Sequence, residues 1–136
     1  MTPTQIPPAP DREEIVRVVQ LYVDGFSQGD VEKLKAAFHE DAWIFFTDAK
    51  GNLFKDLLTR CFPDWAIPPR PKIVGRFISV IQAGDVASVV LGFDNPTDPQ
   101  NSWIDFHALL RIDGKWRITN KTATHFSRAQ WAGRRG

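Results

Sequence analysis

One cysteine, Cys61, stands in the 136 residues, which excludes an internal disulfide and fits a reducing compartment. An excess of either charge is missing too. Seventeen basic residues face 16 acidic ones, so no strong field draws the chain to nucleic acid or an anionic membrane. No apolar run comes near the ~20 residues of a membrane span, and the opening "MTPTQIPPAP" lacks a signal peptide's apolar core. The expectation is a cytoplasmic protein with neither a nucleic-acid nor a membrane partner. Its 3 histidines form no His-x-His or His-x-x-x-His spacing, so no metal is expected. Without a glycine-rich phosphate loop, a serine elbow or a Cys-His dyad, no cofactor is expected either. Internal repeats and low-complexity tracts are absent.

What is present is a soluble globular composition, 43% apolar and 24% charged, with enough length for one domain. Residues 1–10 hold four prolines and read as a loose lead-in. Residues 11–127 read as the domain, and 128–136, with Arg128, Arg134 and Arg135, as a basic tail. Asp11 with Glu14 resembles a capping box. Ile15, Val18, Val19, Tyr22 and Phe26 then recur at helical spacing. Gly29 ends that helix and Asp30 caps a short second one. "HEDA" (39–42) reads as a turn, "WIFFT" (43–47) as a strand and "DAKGN" (48–52) as a turn. Phe54, Leu57, Leu58 and Cys61 read as a third helical stripe stopping at Pro63.

"PPRP" (68–71) is an extended linker, and the remainder reads as sheet. Strands are expected at 72–82, 86–94, 102–112 and 115–126, with turns at Ala83-Gly84-Asp85 and Asp113-Gly114. Helices followed by an antiparallel meander imply an α+β fold, three helices on one face of a curved sheet.

Within the third of these strands lies "WIDFHALL" (103–110). Asp105 and His107 are two residues apart in an extended chain, so they point to the same side. Facing inward, the carboxylate can orient the imidazole for proton transfer near neutral pH. Facing outward, the pair is a wet patch, and Ile104, Phe106, Ala108, Leu110 and Ile112 form the inner row. Arg111 shares the polar row and favours the outward reading; Trp103 and Leu109 share it and oppose that reading.

Two segments carry a resemblance: "VVQLYVDGFSQGDVEKLKAAFHEDA" (18–42) and "IDFHALLRIDGKWRITNK" (104–121). The spacing of Tyr22, Gly25, Gly29 and Asp30, and of Asp113, Gly114, Lys115, Trp116, Ile118 and Lys121, resembles the nuclear transport factor 2-like superfamily. Its bacterial branch labelled putative lumazine-binding is the nearest. The resemblance implies a cystatin-like cone, three helices over a strongly bent antiparallel sheet that encloses a pocket, and a homodimer formed through the outer sheet face. Relatives include ketosteroid isomerase, scytalone dehydratase, SnoaL-like polyketide cyclases and plain docking modules.

By that resemblance Tyr22 falls on the isomerase's oxyanion-donor tyrosine, a system that is a standard worked case of a tyrosine beside a protonated aspartic acid. Phe46 falls where the isomerase keeps its base, which disfavours a steroid isomerase; Asp48 is the nearest carboxylate, at a pocket mouth or in its turn. The expected catalytic group is Tyr22, Asp105 and His107, in a cofactor-free lyase or isomerase resembling a dehydratase. Trp43, Phe46, Asp48, Phe62, Trp65, Trp103 and Asn120 are expected to meet a small apolar ligand. Lys121 is expected to pair with an outer carboxylate. The alternative is the same cone without chemistry, holding a hydrophobic ligand or docking as a dimer.

Overall fold

A computed structural model describes residues 9–125; the tail and most of the lead-in lie outside them. Helix α1 (Arg12–Gln28) opens the fold. Its buried row of Ile15, Val18, Val19, Tyr22 and Val23 follows the helical repeat. Gly29, in the left-handed conformation at φ 65°, ends it with an amide bonded to the Gly25 carbonyl. Helix α2 (Val31–Ala37) is capped by Asp30, whose side chain accepts from the Lys33 amide. Strand β1 (Phe38–Thr47) and strand β2 (Leu53–Leu57) form a hairpin around 48–52, and helix α3 (Leu58–Trp65) follows.

Strands β3 (Val74–Ala83), β4 (Val86–Asp94), β5 (Trp103–Ile112) and β6 (Lys115–His125) make the expected antiparallel meander. Asp113 and Gly114, both at positive φ, close its last hairpin. The six strands lie in the order β2-β1-β6-β5-β4-β3. The result is α+β, with three helices on a six-stranded sheet.

Four expectations need correcting. The sheet is mixed rather than wholly antiparallel, because β1 runs parallel to β6. "HEDA" is no turn but the first half of β1, where the register against β6 slips between Phe38 and Trp43. Residues 53–57 are strand, so the third helix is shorter than its apolar spacing implied: pairing with Trp43 to Thr47 overrode the local pattern. That helix also passes Pro63 and ends at Trp65; Pro63 has no amide to donate to the Thr59 carbonyl, so the last turn lacks one helical bond.

Asp11 precedes α1 but makes no side-chain cap. Its carboxylate Oδ2 instead accepts from Arg111 Nη1 at 2.6 Å, Gln82 Nε2 at 3.1 Å and Trp116 Nε1 at 3.1 Å. The Asp11 amide donates back to Gln82 Oε1 at 2.9 Å. A guanidinium offers a stronger bond than a helix amide, so the residue at the N-cap position of α1 ties the helix to β3, β5 and β6. Arg111 also reaches Asp85 at 2.6 Å, which satisfies the arginine that had favoured an outward Asp105–His107 row.

Asp11→Ala should lower the unfolding free energy by about 1–3 kcal/mol, the range for hydrogen bonds to a charged group, towards the lower end because both ionic partners are partly exposed. Urea titration checks this. A loss under ~0.5 kcal/mol, the range of an ordinary surface change, would mean that these bonds do not hold α1 to the sheet.

Candidate active site

On β5 the side chains alternate as a strand requires, and the polar row is the buried one. Asp105 is 0% and His107 1% exposed, whereas Phe106 is 53% and Leu110 39% exposed. The inner face meets α1, so Tyr22, also 0% exposed, comes down on the pair. Its hydroxyl donates to Asp105 Oδ2 at 3.2 Å. His107 Nε2 lies 3.4 Å from the same oxygen, and the tyrosine and imidazole rings meet edge to face at 5.4 Å. Among the described residues, Asp105 Oδ1 and both His107 ring nitrogens have no hydrogen-bond partner.

The fourth member is Lys121, placed by a β-bulge. Leu109 pairs with Ile118, but Ala108 pairs with Asn120, so Thr119 is an extra residue in β6. Its hydroxyl donates to the Ala108 carbonyl at 3.2 Å. A bulge reverses the alternation beyond it. Trp116 and Ile118 face inward before it, and Lys121 and Ala123 face inward after it. Lys121 therefore sits opposite His107 on the inner face, 8% exposed, rather than meeting an outer carboxylate. Its ammonium lies 4.0 Å from Asp105 Oδ2 and over the rings of Tyr22, Trp65 and Phe93 at 5.3, 5.2 and 5.7 Å.

Burial pushes the Asp105 carboxyl up. The Lys121 charge, then the imidazole and the tyrosine hydroxyl, outweigh burial and hold it below the ordinary carboxylate range. Burial, and next the Asp105 charge, push the Tyr22 hydroxyl well up, so it remains a donor. The interior thus carries an ionised carboxylate with one hydroxyl donor, an ammonium at 4.0 Å and an imidazole at 3.4 Å.

One cavity of about 240 Å³ opens beside this group, lined among others by Phe26, Phe46, Phe54, Cys61, Trp65, Phe93 and Trp103, with Asp64 and Lys121 as its charged wall. Phe46 and Phe54 stack at 4.6 Å and Trp103 meets Phe46 edge-on. Of the expected ligand contacts, Phe46, Trp65 and Trp103 stand here. Phe62 is buried beside Phe38 instead and borders a different, wider cleft. Trp43 lies on the outer sheet face under Lys55. Asn120, put outward by the bulge, accepts from Thr122. Asp48 belongs to its turn, accepting from the Lys50 and Asn52 amides at 2.9 Å. Tyr22 and His107 do not line the cavity; Lys121 stands between them and it.

Sequence reasoning missed Lys121, because counting residues along β6 without the bulge puts Asn120 inside. The wider cleft, about 800 Å³, lies between the start of β1 and the β5–β6 turn. Its charged groups are exposed or half-exposed, and the buried residues that line it, Phe38 and Phe62, are apolar.

Asp105→Asn should cost about 3–5 kcal/mol near neutral pH, because it strips a buried lysine of its counter-charge. The folded carboxyl titrates below the ~3.9 of an unfolded aspartate. Its contribution is therefore complete above that pH and is lost as pH falls through the folded value. Denaturant titrations over the acid range should show a flatter decline in Asp105→Asn than in the unsubstituted protein. Parallel declines would remove Asp105 as a stabilising anion.

Comparison with known proteins agrees with this architecture. The family model described as putative lumazine-binding matches residues 10–123. An NTF2-like protein of unknown function from Shewanella baltica is 24% identical with a TM-score of 0.75, covering 84% of this chain and 92% of that one. A second, from Methylobacillus flagellatus, is 29% identical with a TM-score of 0.72, covering 86% and 93%. The relative named Aldolase FrzH, from a Cladobotryum species, is 25% identical over 112 residues, 80% of this chain and 86% of that protein. With three helices on a six-stranded sheet, the fold of the NTF2-like proteins, and a match running from the start of α1 almost to the end of β6, the chain belongs to the putative lumazine-binding family.

Proposed function

We propose that the aromatic cavity binds a small planar carbonyl compound and that the protein is a cofactor-free lyase or isomerase working through an enolate. The observation that carries this reading is Lys121, a buried ammonium on the wall of an apolar cavity, held by a carboxylate that faces away from the ligand. A fixed cation in a water-poor site stabilises oxygen charge that develops during reaction far better than water does. At about 240 Å³ the cavity is below the roughly 300–1,000 Å³ of drug-sized pockets, and its ring-lined walls favour a flat molecule.

The carbonyl oxygen meets Lys121, which acidifies the neighbouring carbon, and Asp64, the carboxylate on the cavity wall, takes the carbon-bound proton. Tyr22 and His107 act from behind, keeping Asp105 ionised and Lys121 in place. Direct proton transfer from His107 to a ligand does not fit a ring sealed from the cavity. The name of the relative Aldolase FrzH is in keeping with this chemistry, since an aldol bond also forms and breaks through an enolate.

Deuterium exchange at the carbon next to the carbonyl of a small aromatic ketone such as 2-indanone, followed by NMR, tests the proposal. The protein should accelerate exchange, and Lys121→Met should reduce that acceleration about 10²–10³-fold, as for loss of an oxyanion donor. Ketone binding without exchange would leave the non-catalytic binding reading, which the sealed positions of Tyr22 and His107 favour.

The outer sheet face supports a second proposal, a homodimer. Ile81, Val86, Phe106 and Leu110 are each at least 39% exposed there, and a broad apolar face of this kind marks an interaction surface. Light scattering should give twice the 15.4 kDa chain mass, and Phe106→Glu should return it to the monomer. A monomeric unsubstituted protein at micromolar concentration would end the dimer proposal.

A further inference from the structure

We infer that the cavity takes a weak oxygen acid, an enol or phenol, as its anion on Lys121, and that the acid's proton is stored on His107. This deepens the reading of the cavity as a carbonyl site, on which it rests, by naming the charge state of the ligand and a second proton-holding residue. It starts from the balance of charge. Lys121 and Asp105 are both buried and sum to zero. An anion on Lys121 would leave one uncompensated negative charge in the interior, which is unfavourable unless a positive charge arises close by.

His107 is the group placed to supply it. The ring is 1% exposed, its Nε2 is 3.4 Å from Asp105 Oδ2, and neither nitrogen has a hydrogen-bond partner among the described residues. Buried polar atoms are nearly always satisfied, so an unpartnered imidazole beside a carboxylate is an anomaly that calls for a role. Protonation turns Nε2 into a charged donor facing that carboxylate.

Few other groups face His107. From α1 comes the Tyr22 ring at 5.4 Å, whose hydroxyl is committed to Asp105. On β6 the facing residue is Lys121, and on β4 it is Val89, which does not titrate. Lys121 repels a charged imidazole until an anion covers it. Occupancy and protonation are therefore linked.

The step balances without any co-reactant. The ligand O–H bond breaks and its electron pair stays on oxygen. Lys121, the one member of the group on the cavity wall, passes one of its own protons to Asp105 Oδ2 and takes the ligand's in its place. Asp105 Oδ2, which both Lys121 and His107 approach, gives that proton up, and an N–H bond forms at His107 Nε2. Nothing is oxidised or reduced. Strong acids, already ionised in solution, gain nothing from this arrangement, which is why the class is weak acids.

The probe is 4-nitrophenol, whose anion is yellow, with 4-nitroanisole as the matched compound that has no proton to give. At a pH where free nitrophenol is mostly colourless, the bound probe should be yellow. In His107→Gln the ratio of ionised to neutral bound probe should fall about tenfold, one unit of displaced ionisation, while nitroanisole binds both proteins alike. In the unsubstituted protein, the His107 imidazole NMR signals should move to those of the protonated ring on adding nitrophenol and stay put with nitroanisole; this measurement stands even if the variant fails to fold. Nitrophenol bound colourless, or equally yellow in His107→Gln, overturns the inference and leaves the cavity reading intact. Failure of both probes to bind overturns the two together.

Discussion

The ionised Asp105 has no contact with solvent, and a carboxylate in that position persists only where cations and donors surround it. The fold supplies them from three elements. Helix α1 delivers the Tyr22 hydroxyl, β5 delivers His107 two residues along the same strand, and β6 delivers Lys121 from across the ladder. None of the three contacts is short. Their value lies in meeting at one oxygen, in an interior where charge is weakly screened. Shift β6 by one residue and the carboxylate loses its counter-charge; remove the helix from the sheet and it loses its hydroxyl donor. The packing of α1 and the register of β6 are thereby tied to one buried atom.

A second carboxylate does comparable work at the start of the helix. Asp11 gathers a guanidinium, an amide and an indole from three strands, partly exposed to solvent. With Asp11 at its start and Tyr22 past its middle, α1 is pinned to the sheet by two polar contacts and by its apolar row. The two contacts differ in consequence. The outer one is screened and fixes orientation at modest gain, whereas the inner one is unscreened and decides which groups can face a ligand.

Much of the fold was legible because its strands alternate, its turns use Asp-Gly and Ala-Gly-Asp, and its first helix keeps a clean apolar repeat. The bounds of β4 could be read to the residue. Where reading failed, a tertiary contact had overruled a local pattern. "LFKDL" pairs with β1 although Phe54, Leu57, Leu58 and Cys61 have helical spacing. "HEDA" runs within a strand because Phe38 before it and Trp43 after it both pair with β6. Asp11 has the sequence of a helix cap and is taken by an arginine 100 residues away. In the site, the inward row of Asp105 and His107 was one of two open readings, and the partners of Arg111, which decide between them, are set by the three-dimensional fold.

Lys121 is the instructive case, because no local pattern marks it. "KWRITNK" alternates without interruption as written, and strict alternation puts Thr119 and Lys121 on one side and Asn120 on the other. The bulge at Thr119 changes this by leaving that residue without a partner, so Ile118 and Lys121, three apart, share the inner face. The same extra residue moves Asn120 from the expected pocket to the outer face. One inserted residue therefore exchanges a neutral amide for a cation on the cavity wall and gives Asp105 its largest counter-charge. In an aromatic cavity with little other polarity, that exchange sets which ligands are held by more than apolar contact: those with an oxygen able to carry negative charge.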